Sequence, residues 1–116
     1  MPRKQRIREA GLRRENDPPL LVLMSLAAGP KHGRALMEDI AEFGGVRLGP
    51  GTLYGAITRL EAEALIEALP VEGNRRPYRL TERGAESLAA MVNDLQRFAE
   101  VGRRRLIALH PAAGLH

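Results

Sequence analysis

Apolar residues recur at helical spacing in four stretches of the chain and give way once to short strand-like runs. The first stretch, Leu20-Leu21-Val22-Leu23-Met24-Ser25-Leu26-Ala27-Ala28, is apolar on nearly every side, which predicts a buried helix over about 18–28. Asp17 stands ahead of it as an N-cap, Pro18 suits the first helical position, and Gly29-Pro30 ends it. A second helix is predicted from about Gly33 to Phe43. Leu36, Ile40 and Phe43 make its apolar stripe, and Glu38, Asp39 and Glu42 lie outside. Gly44-Gly45 breaks the chain, and Val46 to Leu48 is long enough only for a strand stub. Gly49-Pro50 opens a third helix reaching about Ala64, with Leu53, Ile57, Leu60 and Ala64 inward. Its outer face, Thr52, Gly55, Thr58, Arg59 and Ala62, is small and polar. It carries no acid until Glu61 and Glu63, unlike a helix that only solubilises a core.

Residues 65–70 and 76–81 flank a Gly73-Asn74 turn and predict a β-hairpin with Arg75, Arg76 and Arg79 on its tip and return strand. Thr81 caps a final helix, and Glu82 complements its dipole. Ala85, Leu88, Val92, Leu95, Ala99, Gly102, Leu106 and Leu109 alternate by three and four, a heptad seam. At 1.5 Å per residue the helix would run about 40 Å, longer than so small a domain needs. Its early part, near Leu88 and Met91, can fold back on the first helix. Beyond Leu95 little domain remains to pack against, which predicts dimerisation through Leu88, Val92, Leu95, Ala99, Leu106 and Leu109. The organisation is therefore a basic N-terminal arm at 1–17, flexible or partly helical; a DNA-binding domain at 18–81; a dimerisation helix at 82–110; and a frayed tail at 111–116. The fold class is mainly α with a small β-hairpin wing: a winged helix-turn-helix plus one long C-terminal helix.

Composition narrows the chemistry. The 116 residues fit one domain, and with only two Tyr, two Phe and no Trp the core must be aliphatic. Eighteen basic against 14 acidic residues leave a net charge of +4, and all the basic residues but Lys4 and Lys31 are Arg, which suits phosphates and guanine edges. The absence of Cys removes disulfides, thiolate metal sites and cysteine nucleophiles. The basic start ahead of the first apolar run has the outline of a secretory leader. Glu9, Glu15, Asp17 and Pro18-Pro19 interrupt it, so a cytoplasmic location is expected, and no run is long enough to span a membrane. His32 reads as a turn residue bonded to a backbone carbonyl; its only companions, His110 and His116, lie in the tail, so no metal site is expected. No Ser/His/Asp arrangement, glycine-rich phosphate loop or zinc spacing appears, so neither catalysis nor a cofactor is expected.

A helix can enter the major groove N-terminus first, with the wing along the neighbouring backbone. The candidate DNA-binding residues are thus Pro50, Gly51, Thr52, Tyr54, Thr58, Arg59, Arg75, Arg76 and Arg79. The first-turn amides near Pro50 and Gly51 suit a phosphate. Tyr54 either reaches a phosphate or packs its ring on the wing. Thr52 and Thr58 either meet bases or are solvated, and Arg59 either contacts phosphate or pairs with Glu63.

Four motifs carry a family resemblance. Gly29-Pro30-Lys31-His32-Gly33 resembles the Gly-Pro-x-His-Gly turn of the PadR family, and Leu48-Gly49-Pro50-Gly51-Thr52-Leu53-Tyr54 its recognition-helix entry. Arg59-Leu60-Glu61-Ala62-Glu63-Ala64-Leu65-Ile66 resembles its Arg-Leu-Glu-x-x-Gly-Leu-Ile pattern. Arg76-Pro77-Tyr78-Arg79-Leu80-Thr81-Glu82-Arg83-Gly84 is similar to its wing exit. Together they span roughly residues 20–90, in order and at proper spacing. Gly49 replaces the usual Ser, Gly55 the usual Pro and Ala64 the usual Gly, and the single short C-terminal helix is that of the family's small branch. The resemblance implies a homodimeric transcriptional regulator, usually a repressor, on a near-palindromic operator in double-stranded DNA. It also implies a possible small-molecule effector of unknown identity. Some small members stack such effectors on Trp, which this chain lacks. Two other functions compete: a winged-helix protein–protein interaction module without specific DNA binding, and a basic RNA-binding protein. The acid-poor helix face with a basic wing favours DNA over the first, and the scarcity of aromatics disfavours the second.

Overall fold

The computed structural model describes residues 17–110, so the arm at 1–16 and the tail at 111–116 lie outside the described residues. Helix α1 (Pro18–Ala27) starts where Asp17 accepts the Leu20 amide at 3.3 Å and Pro18 and Pro19 occupy the first turn. Leu20, Leu21, Val22, Leu23, Ser25 and Leu26 are all buried, so α1 is the central post of the core. Gly29, at φ 139°, redirects the chain into a two-residue strand, β1 (Lys31–His32). Helix α2 (Gly33–Gly44) buries Leu36 and Ile40 and closes on Gly45 at φ 67°, whose amide bonds Ala41 O at 3.1 Å. Helix α3 (Pro50–Ala62) buries Leu53, Ala56, Ile57 and Leu60 against α1.

Strands β2 (Ile66–Ala68) and β3 (Pro77–Leu80) form the hairpin, in the register Ile66↔Leu80, Glu67↔Arg79 and Ala68↔Tyr78. Strand β1 adds to β3, giving an antiparallel sheet of order β1-β3-β2. Helix α4 (Glu82–Leu109) begins at Thr81, whose hydroxyl oxygen accepts the Gly84 amide at 3.0 Å and donates to Ala64 O at 2.7 Å. Gly84 is needed there for space: a Cβ would overlap the Leu65 carbonyl oxygen.

The structure departs from the sequence reading at several points. The Gly29–Gly33 turn contains a strand and makes the sheet three-stranded. No strand forms at Val46–Leu48; Leu48 is buried as a loop residue. Helix α3 stops at Ala62, and Ala64 is exposed at φ 59°, because Leu65 and Ile66 must both turn into the core. The strands are shorter than read, so residues 69–76 form the wing loop. Phe43 is 43% exposed, one turn beyond the point where α2 leaves the core. Asp39 faces inward: it accepts the hydroxyl of Ser25, itself 1% exposed, at 2.5 Å. Lys31 Nζ completes this cluster, donating to Ser25 O at 2.5 Å and Gly29 O at 3.1 Å and lying 3.9 Å from Asp39.

The seam on α4 divides. Leu88 belongs to the domain's own core, and Met91 and Leu95 pack against it. Val92, Ala99, Leu106 and Leu109 are exposed.

Candidate nucleic-acid interface

The outer face of α3 is open. Pro50, Gly51, Thr52, Tyr54, Gly55, Thr58 and Arg59 are all exposed, and a Cβ built on Gly51 or Gly55 meets nothing within 4 Å. The N-cap Gly49 offers no side chain to the first-turn amides, which leaves them directed outward at the positive end of the helix dipole. No acidic residue lies in that turn. Thr58 is partly occupied: its hydroxyl donates to Tyr54 O at 2.9 Å. Arg59 does not pair with Glu63; among the described residues it has no carboxylate within 4.0 Å.

Tyr54 is 47% exposed, and its hydroxyl sits so close to Gly33 that a Cβ there would overlap it. The ring therefore lies between α3 and the start of α2, beside the wing. A concavity of about 240 Å³ opens at this junction, where His32, Arg34, Tyr54, Asn74, Arg75 and Arg76 meet. Tyr78 lines its floor from β3, and burial, aided by Glu61 and Tyr54 and opposed by Arg76, pushes its phenol above the usual range. It remains a neutral hydroxyl at neutral pH.

The three wing arginines differ. Arg75 Nη1 lies 3.3 Å from His32 Nε2 and has no carboxylate partner among the described residues. Arg76 donates to Leu69 O at 2.8 Å across the hairpin base. Arg79 Nε lies 2.5 Å from Glu67 Oε1, the residue directly opposite it in the register. That pair is about half exposed, and such a bridge contributes only ~0–1 kcal/mol, little enough for a phosphate to displace.

His32, Arg34 and Asn74 were missed as site residues by sequence reasoning. His32 does not bond a carbonyl; its Nδ1 accepts the Ala35 amide at 3.4 Å as the N-cap of α2. The signal for the group was the Gly-Asn turn together with the His-Gly start of α2. What brings them together is the β1–β3 pairing, His32 opposite Pro77, which has no local pattern.

A model of the transcriptional regulator PadR-like family matches residues 22–90. An uncharacterised protein in a transposon of Streptomyces fradiae is 45% identical over 86 residues, 74% of this chain. The chain spans only 25% of the length of that relative. A transcriptional regulator of Mycobacterium tuberculosis is 36% identical over 98 residues, covering 82% of this chain and 88% of that one. The crystal structure of a PadR family transcriptional regulator from Eggerthella lenta shares the fold, with a TM-score of 0.72 at 23% identity over 89% of this chain and 94% of the other. With the winged helix-turn-helix and its motifs already in place, the chain belongs to the PadR-like family of transcriptional regulators.

Proposed function

We propose that the protein is a cytoplasmic homodimer that binds double-stranded DNA sequence-specifically and acts as a repressor, reading an inverted-repeat operator with α3 and the wing at 70–77. Members of this family are regulators and not enzymes. The observation that carries the reading is the placing of the exposed, acid-free start of α3 beside the arginine-bearing hairpin, joined at the Tyr54 concavity. A helix about 10–12 Å across fits a major groove about 12 Å wide. With α3 in the groove, Thr52, Thr58 and Arg59 face base edges or the near strand, and Arg75, Arg76 and Arg79 follow the flanking phosphates.

The dimer reading is supported by α4. Val92, Phe98, Leu106, Ile107 and Leu109 are 41–69% exposed on one 28-residue helix, more apolar surface than a solvated helix carries. A second copy packed there by two-fold symmetry would present two α3 helices, which calls for an inverted repeat. The repressor role rests on the family resemblance, since a bound dimer excludes other proteins from the DNA it covers.

Selection from random duplex DNA with the purified protein tests this. Enrichment of an inverted repeat with half-sites about one helical turn apart is the expected result. A reporter driven through the recovered site should then fall in output when the protein is expressed. Salt-sensitive binding without an enriched motif removes sequence specificity, and no binding at all favours a protein-interaction module.

A further inference from the structure

We propose that the cleft between the start of α2 and the wing is a phosphodiester-binding site in which His32 and Arg75 share one phosphate oxygen and Arg34 supplies a third contact. The inference rests on the DNA reading above. It goes beyond that reading by adding to the wing residue Arg75 two further contacts, His32 and Arg34, which belong to neither α3 nor the hairpin.

The argument begins with the imidazole. The backbone of His32 is held by β1–β3 pairing opposite Pro77, and its Nδ1 accepts the Ala35 amide at 3.4 Å. In the tautomer in which Nδ1 accepts the Ala35 amide, the neutral imidazole carries its proton on Nε2. That nitrogen lies 3.3 Å from Arg75 Nη1, which is also a donor. Two donors at this distance do not bond each other; both are satisfied by one acceptor placed between or above them.

Among the described residues, the cleft lining supplies no carboxylate to serve as that acceptor. The residues lining the cleft include three arginines, Arg34, Arg75 and Arg76, with His32 and the phenol of Tyr54, and no carboxylate. Arg34 is 3.5 Å from Glu38, but those side chains are 76% and 67% exposed, and a pair so solvated is readily exchanged. Three cations around about 240 Å³ repel one another until an anion enters. Guanidinium groups match phosphate oxygens in fork geometry, which makes a phosphodiester the fitting ligand. The cleft adjoins Tyr54 on α3, so a phosphate held there belongs to the strand bordering the groove that α3 enters.

The test measures binding of a short random-sequence duplex over a salt series for the unmodified protein, His32→Asn, Arg34→Ala, Arg75→Ala and the His32→Asn/Arg75→Ala pair. Asparagine keeps the cap acceptor of α2 but has no donor where Nε2 stands, so folding is retained and checked by the melting temperature. His32→Asn should weaken binding about tenfold, as for a lost hydrogen bond to a charged group. Arg34→Ala and Arg75→Ala should each lower the slope of log affinity against log salt by about 0.9. Adding His32→Asn to Arg75→Ala should cost clearly less than it costs alone, since both serve one oxygen.

Wild-type affinity and slope in His32→Asn, or full additivity of the pair, overturns the inference while leaving the DNA reading intact. Failure of the unmodified protein to bind DNA overturns both. Inorganic phosphate, titrated at constant ionic strength while the His32 ring is followed by NMR, separates the sources. A shift with phosphate while DNA binding is indifferent to all three substitutions assigns the cleft to a free anion and removes the phosphodiester.

Discussion

Asp39 accepts the hydroxyl of Ser25 at 2.5 Å across the α1–α2 contact, with Ser25 itself 1% exposed. Lys31, from the turn between the two helices, donates to Ser25 O and lies 3.9 Å from the same carboxylate. One acidic side chain thus ties the central helix, the β1 strand and α2, and so sets where α2 begins beside the wing. Asp39→Ala should lower stability by about 1–3 kcal/mol, because it leaves the buried Ser25 hydroxyl without its acceptor. Asp39→Asn, which keeps an acceptor, should cost less. Urea unfolding checks both, and equal stabilities of the alanine variant and the unmodified protein would remove the cluster from the account of the fold.

Space decides the next case. Tyr54 stands against Gly33, and a Cβ at that position would overlap its hydroxyl. Gly33→Ala should therefore displace the Tyr54 ring and open the junction between α3 and α2. The expected result is a changed Tyr54 NMR environment and weaker DNA binding with a small loss of stability. Tyr54 signals unchanged in Gly33→Ala would show that the ring is not seated there.

Ala64 carries a φ of 59°, the left-handed region that costs an L-residue with a Cβ roughly 1–2 kcal/mol. Glycine removes that cost but adds about 0.4–1 kcal/mol of unfolded-state entropy. The first effect is the larger. Ala64→Gly should stabilise the protein by about 0.5–1 kcal/mol, read as a raised urea midpoint at unchanged m-value. A lowered midpoint would contradict the left-handed assignment. The same residue explains why the helix was read too long: Ala, Glu and Leu all favour helix, and nothing local marks the stop. The stop is imposed by tertiary structure, through burial of Leu65 and Ile66 and the bond from Thr81 to Ala64 O.

The elements that were legible in the sequence have local causes. Asp17 with Pro18 and Thr81 with Glu82 cap their helices through side chains within three residues, and those starts match the structure. The acid-free face of α3 was likewise visible, because exposure follows from spacing alone. What was illegible depends on distant partners. Strand β1 is two residues long and exists only because β3 returns beside it, and with it came the meeting of His32 and Arg75, 43 positions apart. Asp39 was read as solvated because charge usually is. Its position three residues after Leu36 and next to Ile40 puts it at the edge of the buried stripe, where Ser25 can reach it.

The same division between near and far contacts separates the two halves of α4. Leu88 is 9% exposed and lies in the domain core, whereas Leu106 and Leu109, on the same heptad seam, are 52% and 69% exposed. Leu88→Ala should cost about 2–5 kcal/mol, as truncation of a buried leucine does, and should be felt in a monomer as much as in a dimer. Leu106→Asp places a charge where the proposed partner packs, so it should leave the winged helix-turn-helix folded but shift the protein to monomer in sedimentation. Because an inverted repeat is read by two linked domains, that monomer should also lose most of its affinity for the full operator while keeping weak, salt-sensitive binding to a half-site. A Leu106→Asp protein that stays dimeric would move the interface off the distal seam, to the small-residue groove of Ala85, Ala89 and Val92 beside Ala27. One that is monomeric yet binds the operator undiminished would detach dimerisation from DNA recognition altogether.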